Sequence, residues 1–431
     1  MDTGNTAFLL LTSALVLLMT PGLAFFYGGL VKAKSVISMM MMSFGAIGLI
    51  AVLWVIYGYA IAFPTIDGTA SLPWIFDGTN WLLGAAVTDA ADPAGAYPTL
   101  AFVAFQATFA IITVALISGA IADRAKFGTW MIFAGVWATV VYFPVASWVF
   151  NFGLADGSDP SQGVFSYGGW LTNGMEDVFG TGLIDFAGGT AVHINAGAAA
   201  LALALVLGRR VGFAKGAYAP HNPPFVMLGA GLLWFGWFGF NAGSELAADG
   251  TAAIAFVNTL VAPAAALLGW LVVERIRDGK PTSVGAASGA VAGLVAITPA
   301  CGSLTPGWAI VLGILAGVVC ALAIDLKFKL GFDDSLDVVG VHLVGGLVGT
   351  LFIGFFANGT GLIYSGEFAQ LAVQAIGALS VMIYSFVLAF IIGFILEKTI
   401  GFRIKTEDEV AGIDLAVHGE EGYVLDEPVK A

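Results

Sequence analysis

The chain has 431 residues, 59% of them hydrophobic and 10% charged, with a formal net charge of −13 at pH 7. This balance excludes an ordinary soluble domain, and the absence of a basic patch gives nucleic acid nothing to bind. Two cysteines, Cys301 and Cys320, both in apolar sequence, provide no disulfide framework.

In chain order, eleven apolar windows approach the 17–25 residues needed to cross a hydrocarbon layer about 30 Å thick. They run at roughly 6–31, 37–63, 99–121, 129–150, 184–207, 224–244, 252–273, 284–300, 307–324, 338–356 and 371–396. The first follows Met1-Asp2-Thr3, which lacks the basic stretch of a cleaved signal, and Lys32 and Lys34 come directly after it. It therefore reads as a retained span. The 58 glycines suit helices packed backbone to backbone, as in the stripe Gly285, Gly289 and Gly293. The expected fold is an all-α polytopic membrane protein of eleven transmembrane helices.

The charges orient it. All 16 Lys and Arg fall after odd-numbered spans or in the tail, from Lys32 and Lys34 through Arg209 and Arg210 to Lys405 and Lys430. The even-numbered connections carry acidic residues instead, among them Asp89, Asp156, Glu245 and Glu367. Short loops rich in Lys and Arg remain cytoplasmic, so the N-terminus is outside and the C-terminus inside. The outer loop 64–98 carries Trp74, Phe76 and Trp81 and is expected to pack over the outer surface, and 151–183 forms a second long outer loop. Residues 1–398 form the membrane domain, and 399–431 form an acidic cytoplasmic tail with little core-forming capacity of its own.

Two of the four histidines lie inside apolar spans: His193 in the fifth and His342 in the tenth. An ionisable ring at membrane depth is costly and marks a pathway or relay by default. Their placement divides the chain into halves at about 6–207 and 224–356, followed by the eleventh helix at 371–396. An odd number of crossings per half makes the halves inverted repeats, with one shared site where they meet.

The residues leave several roles open. The imidazoles are structural, metal-binding, or a polar line in a dry pore, but zinc wants three or four ligands and only Asp185 is a plausible third. Asp185 can cap the fifth helix and also hold negative potential near the outer mouth. Phe105 and Phe109 share one helix face, as do Phe240 and Ser244, and such pairs serve as packing or as a gate. A ring face also attracts a cation stripped of water. No nucleophile, metal cluster or cofactor motif suggests an enzyme.

The stretches Phe25-Phe-Tyr-Gly-Gly-Leu30, Phe105-Gln-Ala-Thr-Phe109, Asp185-Phe-Ala-Gly-Gly-Thr-Ala-Val-His193 and Gly236-Trp-Phe-Gly-Phe-Asn-Ala-Gly-Ser244 carry a resemblance. It continues through Thr298-Pro-Ala-Cys-Gly302, Asp333-Asp334, Asp337-Val-Val-Gly-Val-His342 and Gly412-Ile-Asp414 to His418-Gly-Glu420. Over nearly its whole length the chain resembles the Amt/MEP/Rh ammonium transporter family, bacterial Amt branch. The resemblance implies a homotrimer with one pore per subunit, a phenylalanine gate of Phe109 and Phe240, and a twin-histidine pair of His193 and His342. It assigns outer ammonium recruitment to Phe105, Phe150 and Ser244, supported by Asp185, and puts Ser288 and Thr298 at family positions in the eighth span. It implies transport of ammonium, deprotonated and conducted as ammonia, with an ammonium sensor of little flux as the alternative. It also implies residence in the cell membrane, and a PII-type signal protein docking on the tail. Phe150 stands where many relatives have tryptophan, and loop 151–183 is longer than usual.

Overall fold

The structure is a computed structural model that describes residues 2–64, 78–83, 96–152, 168–213 and 219–423. Among these residues, ten helices are long and apolar enough to cross a membrane, and an eleventh apolar helix is shorter. They are α1 (Thr3–Leu30), α2 (Ala33–Ala62), α3 (Thr99–Ile121), α4 (Phe127–Phe150), α5 (Gly189–Leu207) and α6 (Pro223–Gly243). Then follow α7 (Gly250–Arg277), the short α8 (Ser283–Ile297), α9 (Pro306–Leu330), α10 (Val339–Phe356) and α11 (Ala369–Thr399). Hydrocarbon offers the backbone no partners, so each span satisfies its own peptide groups as helix.

The eighth span differs from its expected 284–300. The helix ends at Ile297, and the chain turns tightly through Thr298–Leu304, with Ala300 N–H donating to Ile297 C=O and Leu304 N–H to Ala300 C=O. Pro299 has no N–H with which to continue the ladder. Its own carbonyl instead accepts from Phe186 N–H at 3.1 Å, on the approach to α5. α7 runs about one turn past its expected end at 273, because Arg275 and Arg277 carry the helix into the polar layer on long side chains.

Helix neighbours in the first five spans recur among the next five. α1 packs on α3 as α6 does on α8, α2 on α3 and α4 as α7 does on α8 and α9, and α3 on α5 as α8 does on α10. α1 and α6 cross between the two sets at close range: a Cβ on Gly239 of α6 would lie 2.6 Å from Leu15 Cβ. The predicted glycine stripe on α8 does the same against α7, where a Cβ on Gly289 would lie 2.7 Å from Trp270 Cβ. α11 lies along α5 and α10.

Both histidine helices open in the same unusual way. α5 begins with a π turn over Gly189–Ile194 and α10 with one over Val339–Leu343, so each histidine sits on a wide turn. Such turns interrupt the regular ladder and are frequent at functional sites.

At the other end of α5, buried charges tie the connections together. Arg210 makes paired bonds to Asp333, at 2.9 Å through Nε and 2.8 Å through Nη2, and reaches Asp123 at 3.2 Å. The flanking Asp333 and Asp123 charges hold this guanidinium above its usual pKa despite burial. The described part of the tail also packs against the helices. Asp414 accepts from Ile37 N–H and Ser38 N–H at 3.0 and 2.7 Å, capping the apolar part of α2. Glu409 accepts from Val211 N–H and from Arg403. A segment with little core of its own is thus ordered by the orphan donors it satisfies. Trp74, Phe76 and residues 153–167 of the loop 151–183 lie outside the described residues.

Candidate functional site

The predicted aromatic residues form a continuous column. Phe105 and Phe109 project from one face of α3 with ring centroids 4.9 Å apart. Phe109 stacks on Phe240 of α6 at 4.1 Å and 11° between planes. Phe150, the last residue of α4, meets Phe109 edge-on at 6.1 Å. All four rings are buried. Phe105 reaches the end of α6, where a Cβ on Gly243 would lie 2.9 Å from its ring. Ser244 follows there, half-buried, with its hydroxyl donating to Phe240 C=O at 2.8 Å. Trp148, two residues before Phe150, faces elsewhere, its ring 4.7 Å from that of Tyr384 on α11.

Below Phe240 the column continues into the histidines. The rings of Phe240 and His193 lie 6.2 Å apart, and His193 stacks on His342 at 5.2 Å and 21°. The two Nδ1 atoms are 3.1 Å apart. One ring must therefore donate its Nδ1–H and the other accept, and a second proton on that contact would set donor against donor. Nε2 of His193 is buried and has no hydrogen-bond partner among the described residues. A buried polar atom left bare is costly unless something passing can use it. Both rings border a cavity of about 10 Å³, lined otherwise by apolar side chains including Leu23, Phe26, Ile112 and Leu233. That is about the room one water-sized molecule needs.

Carboxylates hold the two wide turns. Asp185 accepts from Gly188 N–H at 3.2 Å, Thr190 N–H at 3.0 Å and Ala191 N–H at 2.9 Å, filling the orphan donors of α5. Asp334 does the corresponding work on α10, accepting from Val339 N–H at 2.7 Å. Burial, reinforced by nearby Asp337, pushes the Asp334 carboxyl up to about 6. Lys327 bridges the same turn, bonding Asp334 C=O at 3.1 Å and Asp337 at 2.6 Å. Among the described residues, no group of three His, Cys, Asp or Glu side chains lies close enough to hold a metal ion.

A family model described as the Ammonium Transporter Family matches residues 7–423. The chain belongs to the ammonium transporter family. It is 57% identical to an ammonium transporter of Mycobacterium tuberculosis (strain ATCC 25618 / H37Rv), over 98% of this chain and 90% of that one. It is 41% identical to an ammonium transporter of Bacillus subtilis, over 98% and 99%. Among solved structures it resembles Candida albicans Mep2, with a TM-score of 0.82 and 32% identity over 98% of this chain and 90% of that one. It also resembles a structure titled Sensor Amt Protein, with a TM-score of 0.84 and 26% identity over 96% and 98%.

Two residues of this arrangement, Trp237 and Asp334, escaped the residue-level reading. Trp237 stacks on His193 at 5.4 Å and 20°, and its Nε1–H donates to Thr298 Oγ1 at 2.8 Å. Thr298 thus braces the tryptophan that braces the histidine. No spacing rule signals a contact between α6, α8 and α5. Asp334 did leave a signal: it stands eight residues before His342, as Asp185 stands eight before His193.

Proposed function

We propose that this protein conducts ammonium nitrogen across the cell membrane by stripping the cation of its proton and passing ammonia along the histidine pair. The observation that carries this reading is the unbroken run of rings from Phe105 through Phe109 and Phe240 to His193 and His342, ending on a cavity with one bare imidazole nitrogen. Ammonium is attracted by the faces of Phe105 and Phe150, by Ser244 and by the negative potential of Asp185. Phe109 and Phe240 form the gate beneath, and the twin histidines offer hydrogen bonds to the neutral molecule.

Energetics favour proton loss. Moving a small ion into a low-dielectric medium costs on the order of 20 kcal/mol by idealised solvation. Deprotonating an amine-like acid a few pK units above neutral costs roughly 3–4 kcal/mol. Potassium has no proton to lose and is excluded.

On the same reading, residues 1–398 are the membrane domain, built from inverted halves at about 6–207 and 224–356 with α11 added. The N-terminus is outside, and the tail 399–431 is cytoplasmic and docks a PII-type signal protein. The functional unit is a homotrimer. The recurrence of helix neighbours between the two sets of five supports the inversion, and the confinement of Lys and Arg to alternate connections supports the orientation. The test is methylammonium uptake into proteoliposomes containing the purified protein. Saturable uptake is expected, whereas binding at the outer face without uptake would favour the sensor.

A further inference from the structure

Most of the α11 surface is apolar and exposed, including Ile383, Ile391 and Phe394. One side is buried, and along it run Gln370, Gln374, Gly377, Val381 and Ser385. Their spacing of three to four residues places them on a single face. Two glutamines at 1% and 0% exposure on a membrane helix are costly unless their amides are fully engaged.

They are engaged by main chain. Residues 181–184, on the approach to α5, are not helical and need partners for their peptide groups. Gln374 Oε1 accepts from Ile184 N–H at 2.9 Å, and Gln374 Nε2 donates to Ile184 C=O at 2.8 Å, the paired bonds a neighbouring strand would make. The same Nε2 donates to Thr350 C=O on α10 at 3.2 Å. Gln370 accepts from the Thr181 hydroxyl at 2.7 Å and donates to Gly182 C=O and Gln374 Oε1, both at 3.1 Å. Leu183 fits the notch beside them, where a Cβ on Gly377 would lie 2.7 Å from its Cδ1. Further along the stripe, Ser385 donates to Asn195 C=O at 2.8 Å, two residues past His193.

Ile184 immediately precedes Asp185, whose carboxylate holds the His193 turn, and Thr350 lies about two turns beyond His342 on α10. One amide therefore joins the lead-in of one histidine helix to the body of the other. We infer that Gln374 is a positioning residue of the pore, setting the register of α5 against α10 and so the contact between His193 and His342. The inference rests on the reading of that pair as part of the conduction path. Misplacement by about 1 Å can cost two orders of magnitude in rate where geometry is critical.

The test measures ammonium flux in proteoliposomes per folded protein for the intact chain, Gln374→Leu, His193→Ala and the double variant, together with the ring-nitrogen NMR resonances of the histidines. Gln374→Leu should lower maximal flux at least about tenfold with little change in half-saturation. In the His193→Ala background it should change flux less than about twofold, because the pair it positions is gone. Gln374→Glu, when protonated, keeps both bonds to Ile184 but loses the one to Thr350, so its flux relative to the intact protein should recover in part as pH is lowered. Gln374→Leu should also perturb the shared-proton resonances of the histidine pair. Equal fold-losses in both backgrounds overturn the inference, as do unchanged histidine resonances, whatever the flux. Absence of flux from the intact protein, with the resonances still shifted, counts against conduction and leaves the positioning role standing.

Discussion

Asp185→Asn changes one atom type and one charge at the entrance to the histidine helix. In the structure Oδ1 accepts from Gly188 N–H, and Oδ2 takes both Thr190 N–H and Ala191 N–H. An asparagine oxygen can keep the Thr190 and Ala191 pair, but its NH2 group then faces the Gly188 N–H, donor against donor. A hydrogen bond to a charged group contributes about 1.5–3 kcal/mol. A negative charge at a helix N-terminus adds roughly 0.3–2 kcal/mol. The substitution should therefore cost about 2–5 kcal/mol, measured as unfolding free energy of the purified protein in mixed micelles. Flux per folded protein should fall too, because His193 rides on the turn that the carboxylate holds. A stability loss below about 0.5 kcal/mol, well under the value of one charged hydrogen bond, would refute the capping argument. Unchanged stability with lost flux would assign Asp185 a purely electrostatic part.

Phe150→Trp should tighten half-saturation for ammonium by about two- to fivefold, since indole is the better cation–π face; unchanged or weaker affinity removes Phe150 from the recruitment site. Glu245 follows Ser244, and partial burial, with the Asp249 carboxylate next to it, pushes its carboxyl up to about 7. It is charged above that pH and neutral below, so half-saturation should rise as the outer pH falls from about 8 to about 6, while ammonium remains the dominant substrate form. Glu245→Gln should flatten that dependence, and a profile identical to the intact protein's would rule Glu245 out as its source. Arg210→Met leaves Asp123 and Asp333 buried without their cation and should cost about 3–5 kcal/mol of stability. A loss under about 1 kcal/mol would mean the pair is reached by water.

The parts of this molecule legible in its sequence are those governed by periodic or compositional physics. Long apolar runs located ten of the spans to within about six residues at either end, because crossing hydrocarbon demands length and apolarity together. The eighth is shorter because Pro299 stops the ladder, a local event within a run that remains apolar. Phe105 and Phe109 were legible as one face because they are four residues apart on one helix. The Phe109–Phe240 contact joins helices distant in sequence, and only the family resemblance pointed to it, whereas the matched places of His193 and His342 in the two five-span halves already suggested that those rings meet. The wide turns under both histidines left no composition signal, since Gly-Thr-Ala-Val-His-Ile and Val-Gly-Val-His-Leu suit a regular helix equally well. The glutamines of α11 were invisible for a related reason: a polar residue in an apolar run gains meaning only when its partners, the peptide groups of Thr181–Ile184, are known.

Passage of ammonia along the histidine pair is tested by paired ammonium and potassium flux, with current recorded, in proteoliposomes of the intact protein and of the His193→Ala, His342→Ala double variant. The intact protein should show ammonium-dependent flux without potassium flux, and potassium should leak once both rings are gone. Potassium passing the intact protein as readily as ammonium, or undiminished discrimination in the double variant, would contradict that passage.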